Sequence, residues 1–405
     1  MRRRDHNVGR YLGLKTAAPP WLASRQEAAI AALREHGLPA PRHEDWVYTS
    51  PKKVVRELPL SVRSADPVDV PDLGGTRITF VDGVFAPELS RLDDTVAALS
   101  SLTEDDGVAS VEKAETPGFS ALNLALLQDG ARIRVGSGPS RVHVAHVSTG
   151  TGMSHYRHLI EAGAHADVDV VETYTGTGTY WTHVVTEVAA ADGAQVRHVR
   201  WQDESTDASH LGTVAVRQGR DSRFSSLSIA MGGAISRVDV HGQLADLGAE
   251  VDLRGLYLQR DGQHCDHHTT VEHASPHGTS RELFKGILDD TARGAFTGKI
   301  VVREGAHHSD SEQANNSLLL SDRAIANSRP QLEIYNDDVK CAHGATIGRI
   351  DSETLFYLRQ RGLDTAAAQA LLTFAFANEI LGDLPQGSLR TALETRIWGW
   401  LGGVA

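Results

Sequence analysis

Gly193-Ala194-Gln195-Val196-Arg197-His198-Val199 and Gly248-Ala249-Glu250-Val251-Asp252-Leu253-Arg254 repeat one pattern, a Gly-Ala turn followed by a short alternating run rich in β-branched residues. Such alternation sends every second side chain to the same face, which is the period of an extended strand. Another copy of the turn, Gly163-Ala164, precedes Val168-Asp169-Val170-Val171, and Gly294-Ala295 comes later. Gly163 and Gly193 lie 30 positions apart, and Gly193 and Gly248 lie 55 apart, close to twice that, with Asp221-Ser222-Arg223 as a degenerate turn between them. A turn-plus-strand unit at a nearly constant period is what a β-solenoid produces, because each coil buries its inward side chains only against the coils beside it. A β-sandwich also alternates, but at a shorter strand repeat of about 8–12 residues. The spacing therefore predicts a mainly β fold with stacked coils over residues 135–345.

On either side of the coils the period changes. From Pro20 to His36, Leu22, Ala29, Ile30 and Leu33 fall near helical spacing, with Gly37 and Pro39 as stop signals. Pro67 and Pro71 bracket a linker, so residues 1–70 read as an N-terminal helical segment. Residues 71–134 read as a mixed α/β adapter, with a strand Ile78-Thr79-Phe80-Val81, an Asp82-Gly83 turn and a helix over Phe119–Ala125. After the coils, residues 346–405 read as helical: Asp351 or Ser352 caps one helix, and Asp364 or Thr365 caps a second. In that second helix Ala367, Ala370, Leu371, Phe374, Ala377 and Leu381 share a face, and a third helix runs from Ser388 to Leu401 with Trp398 and Trp400 near its end. These helices read either as a cap over the open end of the coils or as a docking surface for a partner.

The 405 residues carry 40 Lys plus Arg against 52 Asp plus Glu, a formal charge of −12. That balance argues against a general electrostatic grip on nucleic acid or anionic lipid. No apolar run follows Arg2-Arg3-Arg4, and no stretch of about 20 apolar residues occurs, so neither a signal peptide nor a membrane span is expected. The two cysteines, Cys265 and Cys341, are far apart and read as free thiols of a reducing, cytoplasmic protein.

Two clusters bear the residue types of metal chemistry. The run His264-Cys265-Asp266-His267-His268, continued by Glu272, His273 and His277, offers imidazole, thiolate and carboxylate ligands for zinc or iron. In a strand it splits, with His264, Asp266 and His268 on one face and Cys265 and His267 on the other. A structural or hydrogen-bonded surface role is the plainer reading of the same run. In Asp337-Asp338-Val339-Lys340-Cys341-Ala342-His343-Gly344, Cys341 and His343 share a face, where thiolate and imidazole supply two ligands of a site that a second chain or a cluster's own sulfides must complete. A half-buried cysteine beside a turn histidine is the plainer reading of the same residues. Other signals fail: Gly294-Ala295-Phe296-Thr297-Gly298-Lys299-Ile300 has too few residues between its glycines for a phosphate loop, and Ile300 stands where a hydroxyl should hold magnesium. No dinucleotide fingerprint, nucleophile elbow or zincin helix is present.

The stretch Arg329-Pro330-Gln331-Leu332-Glu333-Ile334-Tyr335-Asn336-Asp337-Asp338-Val339-Lys340-Cys341-Ala342-His343-Gly344-Ala345-Thr346-Ile347-Gly348 resembles the hallmark segment of the SufB/SufD family of iron–sulfur cluster assembly proteins, on its SufD side. Gln313-Ala314-Asn315-Asn316-Ser317-Leu318-Leu319-Leu320, Leu355-Phe356-Tyr357-Leu358-Arg359-Gln360-Arg361-Gly362 and Glu44-Asp45-Trp46-Val47-Tyr48-Thr49 extend the likeness over nearly the whole chain. The Asp337-Asp338-Val339-Lys340-Cys341 lead-in favours SufD over its paralogue SufB, the nearest confusion.

The resemblance implies a right-handed parallel β-helix between helical ends, working as a non-catalytic scaffold of the SUF system. It further implies pairing with a SufB-like paralogue through the β-helices, and docking of a SufC-like ABC-type ATPase on the C-terminal helices. Sulfur would come indirectly from a cysteine desulfurase system, and a transient iron–sulfur cluster would form at the partner interface rather than on the isolated chain. By motif position, His343 matches an interfacial ligand and Cys341 a helper in metal binding, placed on the flank of the coil column towards the second protein. No cluster role carries over to Cys265, and the metal reading of His264, Cys265, His267, His268 and His273 rests on residue type alone. Flavin involvement and self-pairing of the isolated chain stay open. The rivals are a SufB-like paralogue, a stand-alone zinc protein using the histidine run, and a β-helix polysaccharide-acting enzyme. For the last, the adjacent Asp337 and Asp338 face opposite sides of a strand and make no acid–base pair.

Overall fold

Successive strands in the middle of the chain do not pair with each other. Ser209–Gln218 pairs in parallel with Ile235–Leu244, which pairs with His264–His273, then Arg293–Val302, then Ile325–Ile334. The strands skipped in that series form a second parallel ladder, Gln195–Asp203, Arg223–Ala230, Glu250–Gln259, Thr279–Leu288, Asp310–Leu319 and Lys340–Gly348. The computed structural model thus has a nine-stranded and a ten-stranded sheet facing each other, and the chain visits them alternately, one coil taking roughly 30 residues. This is the β-solenoid anticipated from the turn spacing, and it excludes the sandwich. The residues described are 5–14, 19–40, 42–64, 68–104, 107–113, 116–382 and 384–402; the Arg2-Arg3-Arg4 run and Pro67 lie outside them.

The strict register turns the alternation of each strand into columns. Val168, Val196, Phe224, Val251, Ser280 and Ser311 stack coil upon coil, as do Val170, His198, Ser226, Leu253, Glu282 and Gln313. All of these side chains are buried between the sheets. Burying one Val, Leu or Phe contributes about 1.5–3 kcal/mol, so the apolar members of each column supply the coil-to-coil cohesion.

One corner of six successive coils is a residue in the left-handed region: His165, Gly193, Asp221, Gly248, His277 and His308, with φ between 51° and 71°. The column is knitted by backbone hydrogen bonds across neighbouring coils, Gly193 N to Arg220 O, Asp221 N to Leu247 O, Gly248 N to Pro276 O and His277 N to His307 O. Glycine, aspartate and histidine are the residues that tolerate this conformation. Gly294-Ala295 departs from the turn assignment, since both residues lie inside the strand Arg293–Val302 and the turn there is made by Asp290, at φ 47°.

Helices flank the coils. Leu22, Ala29 and Leu33 of Pro20–His36, with Leu122 of Phe119–Ala125, pack onto Trp181 and Leu211 of the nine-stranded sheet. Asp351 and Asp364 each accept a backbone N–H at 2.8 Å, capping Ser352–Gln360 and Thr365–Leu381. Ala377 and Ile380, with Leu393 and Ile397 of Ser388–Trp400, pack sideways onto Val171, Val199 and Leu227 of the ten-stranded sheet. The C-terminal helices therefore do not cover the end of the coils, contrary to the capping reading. Their buried face is also rotated from the expected stripe: Leu371 is exposed while Ala368 and Thr373 are buried, because a helix this apolar carries no clear polar face to orient it. Trp400 lies buried against the Arg260 guanidinium, 4.1 Å from the ring centroid, and packs with the domain rather than facing a partner.

Candidate functional site

The last strand, Lys340–Gly348, has a ladder partner on one side only, Asp310–Leu319, and the last strand of the other sheet, Ile325–Ile334, is likewise an edge. Cys341 pairs with Ser311 and His343 with Gln313. The two side chains therefore top the two inward columns traced above. They belong to the mouth of the solenoid, not to its flank. Cys341 is half-buried against the cluster of Ile300, Val302 and Ala306, whereas His343 is exposed. Burial, aided by the nearby Asp310 charge, raises the Cys341 thiol above its ordinary value, so forming a thiolate there needs a cation or a donor from outside.

Directly beneath the mouth the interior is polar. Gln313 Nε2 donates to Glu282 Oε1 at 3.2 Å and Thr269 Oγ1 donates to Glu282 Oε2 at 2.6 Å. Burial pushes the Glu282 carboxyl up to about 7, despite both hydrogen bonds. Asn315, one step along the strand from Gln313 on the same inward face, is buried with neither amide atom hydrogen-bonded to protein.

The histidine run occupies His264–His273 and splits between the two faces as its alternation implies. On the inner face, Cys265 is buried, its Sγ 3.7 Å from His267 Nδ1, and burial pushes the thiol up to about 12. His267 Nε2 bonds Ser228 Oγ at 3.2 Å and His273 Nε2 bonds Ser280 Oγ at 2.9 Å, and burial depresses both imidazoles to about 4. On the outer face, the Thr49 hydroxyl donates to Asp266 at 2.5 Å and meets His264 Nε2 at 2.7 Å. His268 lies between Asp239 and Asp45, at 3.5 and 3.7 Å. Among the described residues no three His, Cys, Asp or Glu side chains converge as a metal-binding group. His277 belongs to the corner column, its ring 4.8 Å from that of His308.

Two arrangements were not legible from motifs. The first is ionic: Glu172 is buried between the sheets, bonded to His198 Nε2 at 3.1 Å, to Thr186 Oγ1 at 2.7 Å and to the Tyr174 hydroxyl, with Arg200 at 3.6 Å. Burial opposes its charge, but His198, His158 and Arg200 together outweigh that and hold the carboxyl well below the usual range. Its only sequence signal was position, two residues past Val170 on the inward face. The second is a latch across the outer face of the nine-stranded sheet. Arg237 stacks on Trp46 at 3.9 Å, donates to the Asp45 carbonyl at 2.7 Å and pairs with Asp239 and Asp266, while Glu44 pairs with Arg329. The Glu44–Thr49 segment is thereby a strap pinning the N-terminal region onto the coils.

Comparison with known proteins places these features in a family context. Residues 144–376 match the family described as "SUF system FeS cluster assembly, SufBD core domain". An iron–sulfur cluster assembly SufBD family protein of Synechocystis is 30% identical over 92% of this chain and 90% of its own length. The iron–sulfur cluster assembly protein SufD of Escherichia coli is 31% identical over 93% of this chain and 92% of its own. SufD of Bacillus subtilis is 27% identical over 72% and 68%.

Proposed function

Because this chain belongs to the SufBD family of the SUF iron–sulfur cluster assembly system, we propose that it acts as a non-catalytic, cytoplasmic scaffold whose open mouth seats a SufB-like paralogue. The observation that carries this reading is the pair of bare sheet edges, one of which bears Cys341 and His343 at the ends of buried columns. An edge of this length left bare invites continuation by another chain. A second solenoid stacked on it would extend both ladders, bury Ile334, Tyr335 and Ile347, which are 41%, 58% and 53% exposed, and desolvate the thiol and imidazole. His343 then serves as a ligand to a transient cluster and Cys341 assists it, with the remaining ligands from the partner and from sulfide. Sulfur arrives through a cysteine desulfurase system acting on the complex.

The division into residues 1–70, 71–134, 135–345 and 346–405 assigns docking of a SufC-like ABC-type ATPase to the last segment, where Phe356, Tyr357 and Leu371 are 61%, 56% and 41% exposed. ATP hydrolysis belongs to that partner. Among the described residues no helix is long and apolar enough to cross a membrane. Coexpression of this chain with a paralogous solenoid protein and the ATPase should yield a complex, and His343→Ala should lower iron and sulfide content while the subunits still copurify. Failure to copurify would sink the pairing; unchanged iron and sulfide would remove His343 from the site.

A further inference from the structure

The strap and the following short helix Pro51–Val54 form one wall of a groove of about 750 Å³. The opposite wall is made by the starts of strands at Ala234-Ile235, His264 and Arg293. Its cationic lining is Lys52, Lys53, Arg56 and Arg293, beside the imidazole of His264, and no carboxylate lines it among the described residues. In a chain of net charge −12 such a one-signed cleft is a departure that needs a cause.

The cations are not consumed by the fold. Arg56 is clamped, its Nε donating to Ser209 Oγ at 2.8 Å and a terminal nitrogen to the Asp207 carbonyl at 3.4 Å. Lys52, Lys53 and Arg293 are exposed, and none makes a side-chain hydrogen bond or ion pair among the described residues. Burial disfavours protonation of His264, and the charges of Lys53 and Arg293 add to it against the opposing charge of Asp266. His264 is itself immobilised by Thr49, and Tyr48 stands at the rim, 37% exposed, with an aromatic face available for stacking.

We propose that this groove binds a small anion carrying two adjoining phosphate groups, with Lys52, Lys53, Arg56 and Arg293 as its counter-charges and Tyr48 beside any ring the ligand bears. Several cations left without counter-ions around a concave space favour a compact, multiply charged ligand over a single carboxylate. Ammonium and guanidinium groups together are the usual complement of phosphate oxygens. This site is remote from Cys341 and His343 in the sequence and does not depend on the scaffold reading.

The test is titration calorimetry on the full chain with inorganic pyrophosphate and, separately, with ADP. At about 50 mM salt pyrophosphate should bind one to one with a Kd of about 100 μM or lower, weakening at least about tenfold at roughly 500 mM salt. Lys53→Gln with Arg293→Gln should raise the Kd at least about tenfold without changing the melting temperature, because both side chains are exposed and unbonded. Tighter binding of ADP than of pyrophosphate would assign a role to Tyr48, removable by Tyr48→Ala; equal binding would confine recognition to the phosphates. Absence of binding, binding undiminished in the double variant, or equally tight binding of a tetraglutamate peptide would overturn the proposal.

Discussion

The two ends of the solenoid are finished in opposite ways. At the N-terminal end each sheet stops on a short antiparallel strand, Val84–Phe85 on one and Val96–Ala98 on the other. The outer face nearby is sealed: the Glu187 carboxylate accepts the backbone N–H groups of Ala109, Val111 and Glu112 and pairs with buried Arg157 at 2.7 Å. At the C-terminal end both sheets stop on full-length parallel strands, with nothing among the described residues stacked beyond them. Short antiparallel strands are how proteins blunt an edge, and a long bare parallel edge is how they leave one for use. On the proposed function one end serves stability and the other assembly, so mutations should separate along the same axis.

The largest effect belongs at the sealed end. Glu187→Ala strips the counter-charge from a guanidinium that is 1% exposed and leaves three N–H groups unpaired. Chemical denaturation should show a loss of about 3–5 kcal/mol. A loss below about 1 kcal/mol would mean the sealed end is not what holds the fold, and the contrast fails.

Next comes Glu282, inside the coils below the mouth, whose folded-state carboxyl is raised to about 7 from an ordinary 4.5. The folded protein therefore keeps a proton that the unfolded chain has already released, so stability falls as pH rises between those two values and levels off above them. The penalty is about 3 kcal/mol at most, and Glu282→Gln should abolish it, making the variant the more stable protein at pH 8 and nearly equal to the parent at about pH 4. Parallel pH profiles for the two proteins would remove Glu282 as the source. A smaller loss, about 1–3 kcal/mol, is expected for Thr49→Val, which takes from buried Asp266 and from His264 their shared hydroxyl partner. Denaturation midpoints at fixed pH measure it, and no change would show that the strap is held by Arg237 and Trp46 alone.

What the sequence revealed, and what it hid, follows the range of the interactions. The coil period was legible because Gly193, Asp221 and Gly248 sit where the chain must adopt a left-handed turn. The same corner at His165, His277 and His308 leaves no such mark, because histidine is a common metal ligand and an uncommon turn residue. The shared face of Cys341 and His343 followed from their spacing. That this face points inward is decided by Ser311 and Gln313 in another strand, which no local pattern carries. The split of the histidine run was equally local, whereas its cover by Thr49 and Asp45 joins segments more than 200 residues apart and left no mark on either.

The smallest effect on stability should accompany the largest effect on assembly, and that inversion is the sharpest form of the comparison. Ile347 is 53% exposed on the bare edge and Gly348 follows it, so Ile347→Lys removes little buried area and should change the unfolding free energy by less than about 0.5 kcal/mol. The same lysine would set a hydrated charge into the apolar seam that a stacked solenoid must dry, where an unpaired ammonium is strongly disfavoured. Size-exclusion chromatography of coexpressed subunits should then show this chain eluting alone, with an unchanged melting curve. If the variant instead enters the complex as the parent does, the edge is not the seam, and the ends differ in finish without differing in purpose.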